Sequence, residues 1–332
     1  MAVNEPLNRI VVGDALATLR RLKSSSVDMC LTSPPYFRLR DYGEDGQLGL
    51  EDAVGDWASA VRDVAREIHR VLVPTGSLWL NLGDTYATQT KQGAPGKSLL
   101  LAPERVAQLL QEDGWILRNK VVWAKPNPMP SSVRDRLTAA HEVVYFLTKQ
   151  PHYHFDLDAI RAPHISLSRK PGSPRSRQPP RHQDWRGPNA NRTNGLATLH
   201  REGRPGHPLG KNPGDVWTIP TVRGGGSHHA TFPRALAERC ILAGTPVARC
   251  RTCRAPWVSP VRRLGHTAVR LALQRQCTHT GAPEPGVVLD PFMGSGTTAV
   301  VAEALGRNWI GIELNPTYAS EATQRIQGAR AA

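Results

Sequence analysis

The sequence predicts an α/β fold in which a mostly parallel sheet carries helices on both faces. Three observations point there. Short runs rich in Val, Ile and Leu recur along the 332 residues, as expected of strands buried on both faces. Helical apolar stripes lie between them. A glycine-bearing loop follows one such run and leads into a helical pattern, the usual ligand-binding arrangement at the carboxyl ends of strands.

The expected strands are Arg9 to Val12, Val27 to Leu31, Ser77 to Leu82, Ile116 to Trp123, Glu142 to Thr148, Val287 to Leu289 and Asn308 to Glu313. Between the second and third, Trp57, Val61, Val64, Ile68 and Val71 alternate at spacings of four and three, one face of an amphipathic helix. Pro74 and Gly76 are expected to stop it. A second helix spans Ala102 to Asp113 and ends at Gly114, and a third spans Ala299 to Leu305.

Hydrophobic residues at 39% and charged residues at 21% are ordinary for a globular chain. No stretch reaches the roughly 20 apolar residues needed to span a bilayer, and the N-terminal Met-Ala-Val-Asn-Glu-Pro-Leu-Asn-Arg lacks a signal's apolar core. The expectation is a cytoplasmic protein with no membrane partner. The formal charge of +14 favours a polyanionic partner, because Lys and Arg gain affinity by displacing counterions from phosphates. Residues 161 to 210 hold ten Arg or Lys against Asp184 and Glu202, a net +8, with eight prolines and six glycines. That composition suits an inserted loop, read either as a disordered linker or as a DNA-contacting segment that orders on binding.

Two loops carry chemistry. Asp290-Pro291-Phe292-Met293-Gly294-Ser295-Gly296-Thr297 follows a strand, and Glu313 ends the next strand about twenty residues on. Glycine lets backbone approach a ligand, and an acid so placed can take the two hydroxyls of a ribose, so the pair describes a nucleoside pocket. The longer Gly-x-Gly-x-x-Gly spacing of nicotinamide sites is missing, because position 299 is Ala. Ser33-Pro34-Pro35-Tyr36 follows the strand ending at Leu31. Its prolines remove donors and leave carbonyls free, so Ser33 Oγ and the Pro34 carbonyl can accept the protons of an amine conjugated to a ring and aim its lone pair. Tyr36 supplies an aromatic face for a base swung out of the duplex.

These motifs resemble the beta-group amino-methyltransferases of bacterial restriction–modification type, in which the catalytic loop precedes the cofactor loop. Ser33-Pro34-Pro35-Tyr36 matches the family's catalytic tetrapeptide and Phe292-Met293-Gly294-Ser295-Gly296 its cofactor loop. The stretch from His229 to Leu236, with Phe232, Pro233 and Leu236, resembles an additional cofactor-binding motif, with Gly214-Asp215-Val216-Trp217 ahead of it. Gly13-Asp14 resembles the acidic position facing the adenine of the cofactor, and Trp123-Ala124-Lys125-Pro126-Asn127-Pro128 a segment near the base pocket.

The resemblance implies a Rossmann-like methyltransferase fold with permuted motif order. Residues 1–160 would form the catalytic half, 161–212 the target-recognition insertion and 213–332 the cofactor half. S-adenosyl-L-methionine is the implied cofactor and duplex DNA the implied partner, with a restriction endonuclease acting on the same site as a companion; monomer and dimer stay open. Ser at position 33 is typical of cytosine-N4 enzymes and Asp of adenine-N6 enzymes, so cytosine N4 is expected and adenine N6 is the alternative. Methylation at cytosine C5 needs a Cys nucleophile, and none of the five cysteines follows a proline as that chemistry's motif requires.

Cys250-Arg251-Thr252-Cys253, then Cys277-Thr278-His279 after 23 intervening residues, allow a Cys3His set for a structural zinc; unliganded thiols are the other reading. These residues sit in a Cys-rich insertion at about 245–285. Cys240 lies on a helical pattern as a packed thiol, and His228 and His229 read as flanking a motif.

Overall fold

A computed structural model describes residues 6–164, 207–221, 232–264 and 267–331. Its strands in chain order are β1 (Arg9–Val12), β2 (Val27–Thr32), β3 (Leu72–Leu82), β4 (Ile116–Ala124), β5 (His141–Thr148), β6 (Val216–Thr218), β7 (Arg249–Cys250), β8 (Val261–Leu264), β9 (Thr267–Arg270), β10 (Pro283–Glu284), β11 (Val287–Asp290) and β12 (Asn308–Glu313). The helices are α1 (Ala15–Leu19), α2 (Val54–Val71), α3 (Ala102–Glu112), α4 (Arg234–Gly244), α5 (Thr297–Ala304) and α6 (Pro316–Ala331). The chain divides into two compact units.

The larger unit comprises Met1–Asp156, Gly214–Val258 and Leu273–Ala332. It is built on an eight-stranded sheet of order β1-β12-β11-β2-β3-β5-β4-β6. Five of the seven neighbouring pairs are parallel, and the antiparallel ones both involve β5. The catalytic and cofactor halves expected from the sequence therefore share one sheet, with β2 lying directly beside β11.

Each strand sends alternate residues to opposite faces. In β3, Leu78, Leu80 and Leu82 join a core with Trp57, Val61, Val64 and Ile68 of α2 and Val106 and Leu110 of α3. Trp79 points the other way and stacks on Phe146 at 4.3 Å and Trp217 at 6.2 Å. Helices α1, α2 and α3 pack together, while α4 packs on β2, β3 and α5, and α5 in turn on α6.

All seven expected strands are present, but the end of α2 differs from expectation. The helix stops at Val71 and the chain enters β3 at once, so Pro74 and Gly76 lie inside a strand. The register jumps from Val27↔Leu72 to Met29↔Ser77, which puts both residues in a bulge where no ladder hydrogen bond is asked of the proline. The sheet-edge strand β6 was not among the expected ones; at three residues it is too short to leave a periodic signal.

The Cys-rich segment attaches through Arg249, which is 1% exposed. Its guanidinium donates to Asp28 at 2.6 Å, to the Ser26 carbonyl at 2.8 Å and to Glu284 at 2.9 Å. Asp28 also accepts the Val287 amide at 2.7 Å, so one ion pair ties β2, β7, β10 and β11.

The smaller unit comprises Leu157–Pro213 and Ser259–Ala272. The two ends of the basic insertion meet there: Ala162 and Lys211 exchange backbone hydrogen bonds of 3.0 and 2.8 Å, and Arg161 donates to the Gly210 carbonyl. Most of the predicted recognition segment, residues 165–206, lies outside the described residues, as do His228 and His229. The unit also holds the β8–β9 hairpin. Among the described residues no helix is long and apolar enough to cross a membrane.

Replacing Arg249 by Met should cost about 3–5 kcal/mol in urea unfolding, because it strands the buried Asp28 carboxylate. Adding Asp28→Asn to that variant should recover part of the loss.

Candidate active site

Both predicted loops open on a cavity of about 670 Å³ in the larger unit. Ser33 and Pro35 reach its wall from one side, and Pro291, Phe292, Gly294, Ser295 and Glu313 from the other. Asp14 contributes as well. It caps α1, accepting the Ala17 amide at 2.7 Å, and the Gly13 amide bonds the Glu313 carbonyl, which brings the two acids to one end of the sheet.

Asp290 fixes the relation of the loops and stays off the cavity wall. It is 1% exposed. Thr32, the residue before Ser33, donates to Oδ1 at 2.7 Å; the Phe292 amide donates to the same oxygen at 3.1 Å, and Thr298 to Oδ2 at 2.6 Å. Burial outweighs these donors and pushes the carboxyl up to about 6. The predicted cofactor acid is thus a brace between loops.

Glu313 accepts the Gly294 amide at 2.7 Å on one oxygen and the Asn315 amide at 3.0 Å on the other, with the Leu314 amide also bonding the carboxylate. A carboxylate has about four acceptor sites, so capacity for a hydroxyl remains. Burial raises this carboxyl too. Gly294 and Gly296 take left-handed φ values of +49° and +76°, which L side chains rarely adopt. A Cβ on Gly296 would meet Ala322 and Ile326 at 3.3 Å, so that glycine serves packing against α6. Thr297 is buried and receives Arg325 Nη1 at 3.0 Å, as do Ser295 Oγ and its carbonyl at 2.8 Å. Leu236 is fully buried on α4 and Pro233 caps that helix; neither they nor Phe232 line the cavity.

The tetrapeptide heads a polar chain that sequence reasoning missed. Ser33 Oγ lies 3.1 Å from Tyr36 Oη, which in turn lies 2.7 Å from Glu142 Oε2 and 3.2 Å from Asn81 Oδ1. Asn81 Nδ2 donates to Glu142 at 3.1 Å, and Lys125 pairs with the same carboxylate. Burial and the neighbouring Glu142 push the Tyr36 hydroxyl well above its ordinary range, so it remains an O–H donor at neutral pH. The Tyr36 ring lies against Gly83, where a Cβ would come within 2.6 Å of it. Trp57 Nε1 donates to the Pro35 carbonyl at 2.9 Å and anchors the loop to α2. The signal in the sequence was available: Asn81 and Glu142 are polar residues inside otherwise apolar strands. Pro34 and Tyr36 do not reach the cavity wall.

The segment after the tetrapeptide was also missed. Tyr42, Gln47 and Leu48 line the cavity, with Gln47 accepting the Tyr42 amide at 2.7 Å and Tyr42 meeting Tyr318 edge-on at 6.4 Å. Away from this cavity, Cys250, Cys253, Cys277 and His279 converge, their ligand atoms within 4.8 Å of one another.

The raised Asp290 carboxyl fixes a pH dependence. Its folded value, about 6, lies above the unfolded 3.8. Its contribution to stability is therefore full below 3.8 and lost as pH rises through about 6. Asp290→Asn does not titrate. The unfolding free energy of wild type relative to this variant should rise by about 1 kcal/mol from pH 7 to pH 5, measured by urea titration.

A family model described as DNA methylase matches residues 27–324. The Type II methyltransferase M.SmaI of Serratia marcescens is 34% identical over 339 residues, which cover 96% of this chain and 90% of that protein. Among solved structures, the PvuII DNA methyltransferase (cytosine-N4-specific) gives a TM-score of 0.58 at 19% identity, covering 97% of this chain and 90% of its own. A putative DNA modification methylase of Thermus thermophilus, complexed with S-adenosyl-L-methionine, gives 0.53 at 23% identity, covering 97% and 95%. The family match spans most of the sequence and includes both loops, and the chain belongs to the N6/N4 DNA methylase family, as a DNA amino-methyltransferase of restriction–modification type.

Proposed function

We propose that this protein transfers a methyl group from S-adenosyl-L-methionine to N4 of cytosine in duplex DNA at a specific site. The observation that carries methyl transfer is a shared cavity, bounded by Ser33 and Pro35 on one side and by the glycine loop and Glu313 on the other, while the choice of cytosine N4 over adenine N6 rests on Ser at position 33, as the family resemblance implies. Its volume is in the range of small-molecule and cofactor sites. The remaining acceptor capacity of Glu313 suits a ribose hydroxyl, and the Gly294 backbone allows close approach. Asp14 suits the adenine amine, and Phe292 adds apolar surface.

When bound, the sulfonium supplies an electrophilic methyl group. The protein's part is to prepare the amine. Its nitrogen lone pair is conjugated into the base, and acceptors on its protons localise that pair. Ser33 Oγ can donate its own proton to Tyr36 and keep its lone pairs for the amine, while the Pro34 carbonyl takes the other amine proton. Tyr36 donates onward to Glu142. A hydrogen-bond chain ending on a carboxylate strengthens the acceptor at its head, so Glu142, Asn81 and Lys125 act as positioning residues. The Tyr36 ring, backed by Gly83, is the stacking surface for the extruded base. Residues 161–212 are the target-recognition segment, where arginines contact phosphates and base edges. A restriction endonuclease cutting the same site is the expected companion.

Expression in a host lacking DNA methylation, followed by single-molecule sequencing, should reveal N4-methylcytosine at one sequence motif. N6-methyladenine there would replace the base assignment. Ser33→Ala should abolish the mark and leave the affinity for S-adenosyl-L-methionine, measured by calorimetry, within a few fold of wild type.

Glu142→Gln keeps an acceptor for Tyr36 and removes the charge. It should lower kcat by up to about 100-fold with little change in cofactor affinity, the scale of a mispositioned reacting group. An unchanged kcat would remove Glu142 from the mechanism.

A further inference from the structure

We propose that Cys250, Cys253, Cys277 and His279 bind one zinc ion, which acts as the structural clamp of the segment between α4 and β11. Three thiols and an imidazole form the borderline-soft donor set that zinc favours, and four protein ligands leave no open position for chemistry. Bonds of about 2.3 Å to sulfur and 2.0 Å to nitrogen place tetrahedral ligands less than about 4 Å apart. The four ligand atoms, already within 4.8 Å of one another, need only small side-chain rotations to close on an ion.

The backbone is shaped for this. After Cys250 the chain turns so that the Arg254 amide returns to the Cys250 carbonyl at 2.9 Å and the Cys250 amide to the Ala255 carbonyl at 2.8 Å. Arg254 takes a left-handed φ of +62° to complete the knuckle. The return strand brings Cys277 and His279 back: Val258 and Gln274 exchange hydrogen bonds of 3.0 and 2.7 Å, and Cys250 pairs with Pro283. A disulfide would use two of the sulfurs and leave the third and the imidazole unexplained.

A second, independent observation calls for a clamp. From Arg251 to Pro285 no described residue is buried, although the segment forms ordered strands and bridges. Burial of apolar surface is the main term that offsets chain entropy, and a stretch this long whose side chains are at most half-buried gains from a disulfide or a metal. Charge adds to the need: residues 249–285 hold seven arginines and one acid, Glu284, which pairs with Arg249, Arg251 and Arg254 at the base of the segment. Arg249 and Glu284 fasten the base of the segment to the sheet; the ion would fasten it to itself.

Metal analysis of the full-length protein, purified without chelator from zinc-supplemented medium, should give one zinc per chain, and Cys253→Ser should lose it while Cys253→His retains it. Cobalt added after zinc removal should show the intense visible absorption of a tetrahedral site together with sulfur-to-cobalt charge transfer, a signature independent of whether a variant folds. Removing zinc should speed tryptic cleavage after the arginines of residues 251–282 roughly tenfold or more, with affinity for S-adenosyl-L-methionine retained. Substoichiometric zinc with no cobalt spectrum, or a disulfide between any two of these cysteines in protein isolated with its thiols blocked, would overturn the proposal.

Discussion

One buried carboxylate holds the two working loops in register. Asp290 accepts from Thr32 at the end of β2, from the Phe292 amide of its own loop and from Thr298 at the start of α5. Because β2 and β11 are adjacent and parallel, Ser33 and Phe292 leave the sheet at the same carboxyl end, and the bond from Thr32 to Asp290 sets how far apart they stand. A substrate amine and a methyl donor must meet to within a few tenths of an ångström, and a misplacement of about 1 Å costs on the order of a hundredfold in rate. The precision asked of the loops is therefore vested in a residue that lies off the cavity wall. Burial leaves Asp290 with a raised pKa, so the brace is itself costly to hold in charged form.

The same logic runs through the tetrapeptide. Trp57 holds the Pro35 carbonyl, Gly83 makes room for the Tyr36 ring, and the Tyr36 hydroxyl is tied to Asn81 and Glu142. Four residues that read as a motif in the sequence are positioned by at least as many that do not. Those supporting residues come from α2, β3 and the glycine just after it, and β5, which meet only after the sheet has formed.

That difference explains what could be read in advance. Strands buried on both faces announce themselves by composition, and α2 by its stripe, so the α/β architecture was legible. Ser33 and Gly294 were legible because loop chemistry at strand ends is local in sequence. Glu142 stood out only as an acid in an apolar strand; its role was hidden, because it depends on an antiparallel pairing that sets it against the end of β3, and no spacing encodes that partner. Asp290 was legible as an acid in the right loop, but its inward direction depends on Thr32, 258 positions away. The convergence of the Cys-rich segment was foreshadowed by the spacing of its three cysteines and one histidine, whereas its lack of fully buried side chains is visible only in the fold.

The chain order of the parts constrains how the site comes into being. Among the described residues, the cavity wall draws on residues 13–64 and 291–318 and on nothing between. β1 finds its partner in β12, with the Asn8 amide bonding the Trp309 carbonyl at 2.7 Å and the Asn8 side chain accepting the Trp309 amide at 3.0 Å. The antiparallel strands β4 and β5, by contrast, are nearly consecutive and form their ladder from local contacts. Contacts closed over a short loop cost less entropy than those closed over nearly the whole chain. The support for Tyr36, built from residues 81 to 142, can therefore be in place before the cofactor loop docks. The pairing of β11 beside β2 that brings the two walls of the cavity together is also the pairing that sets Thr32 against Asp290.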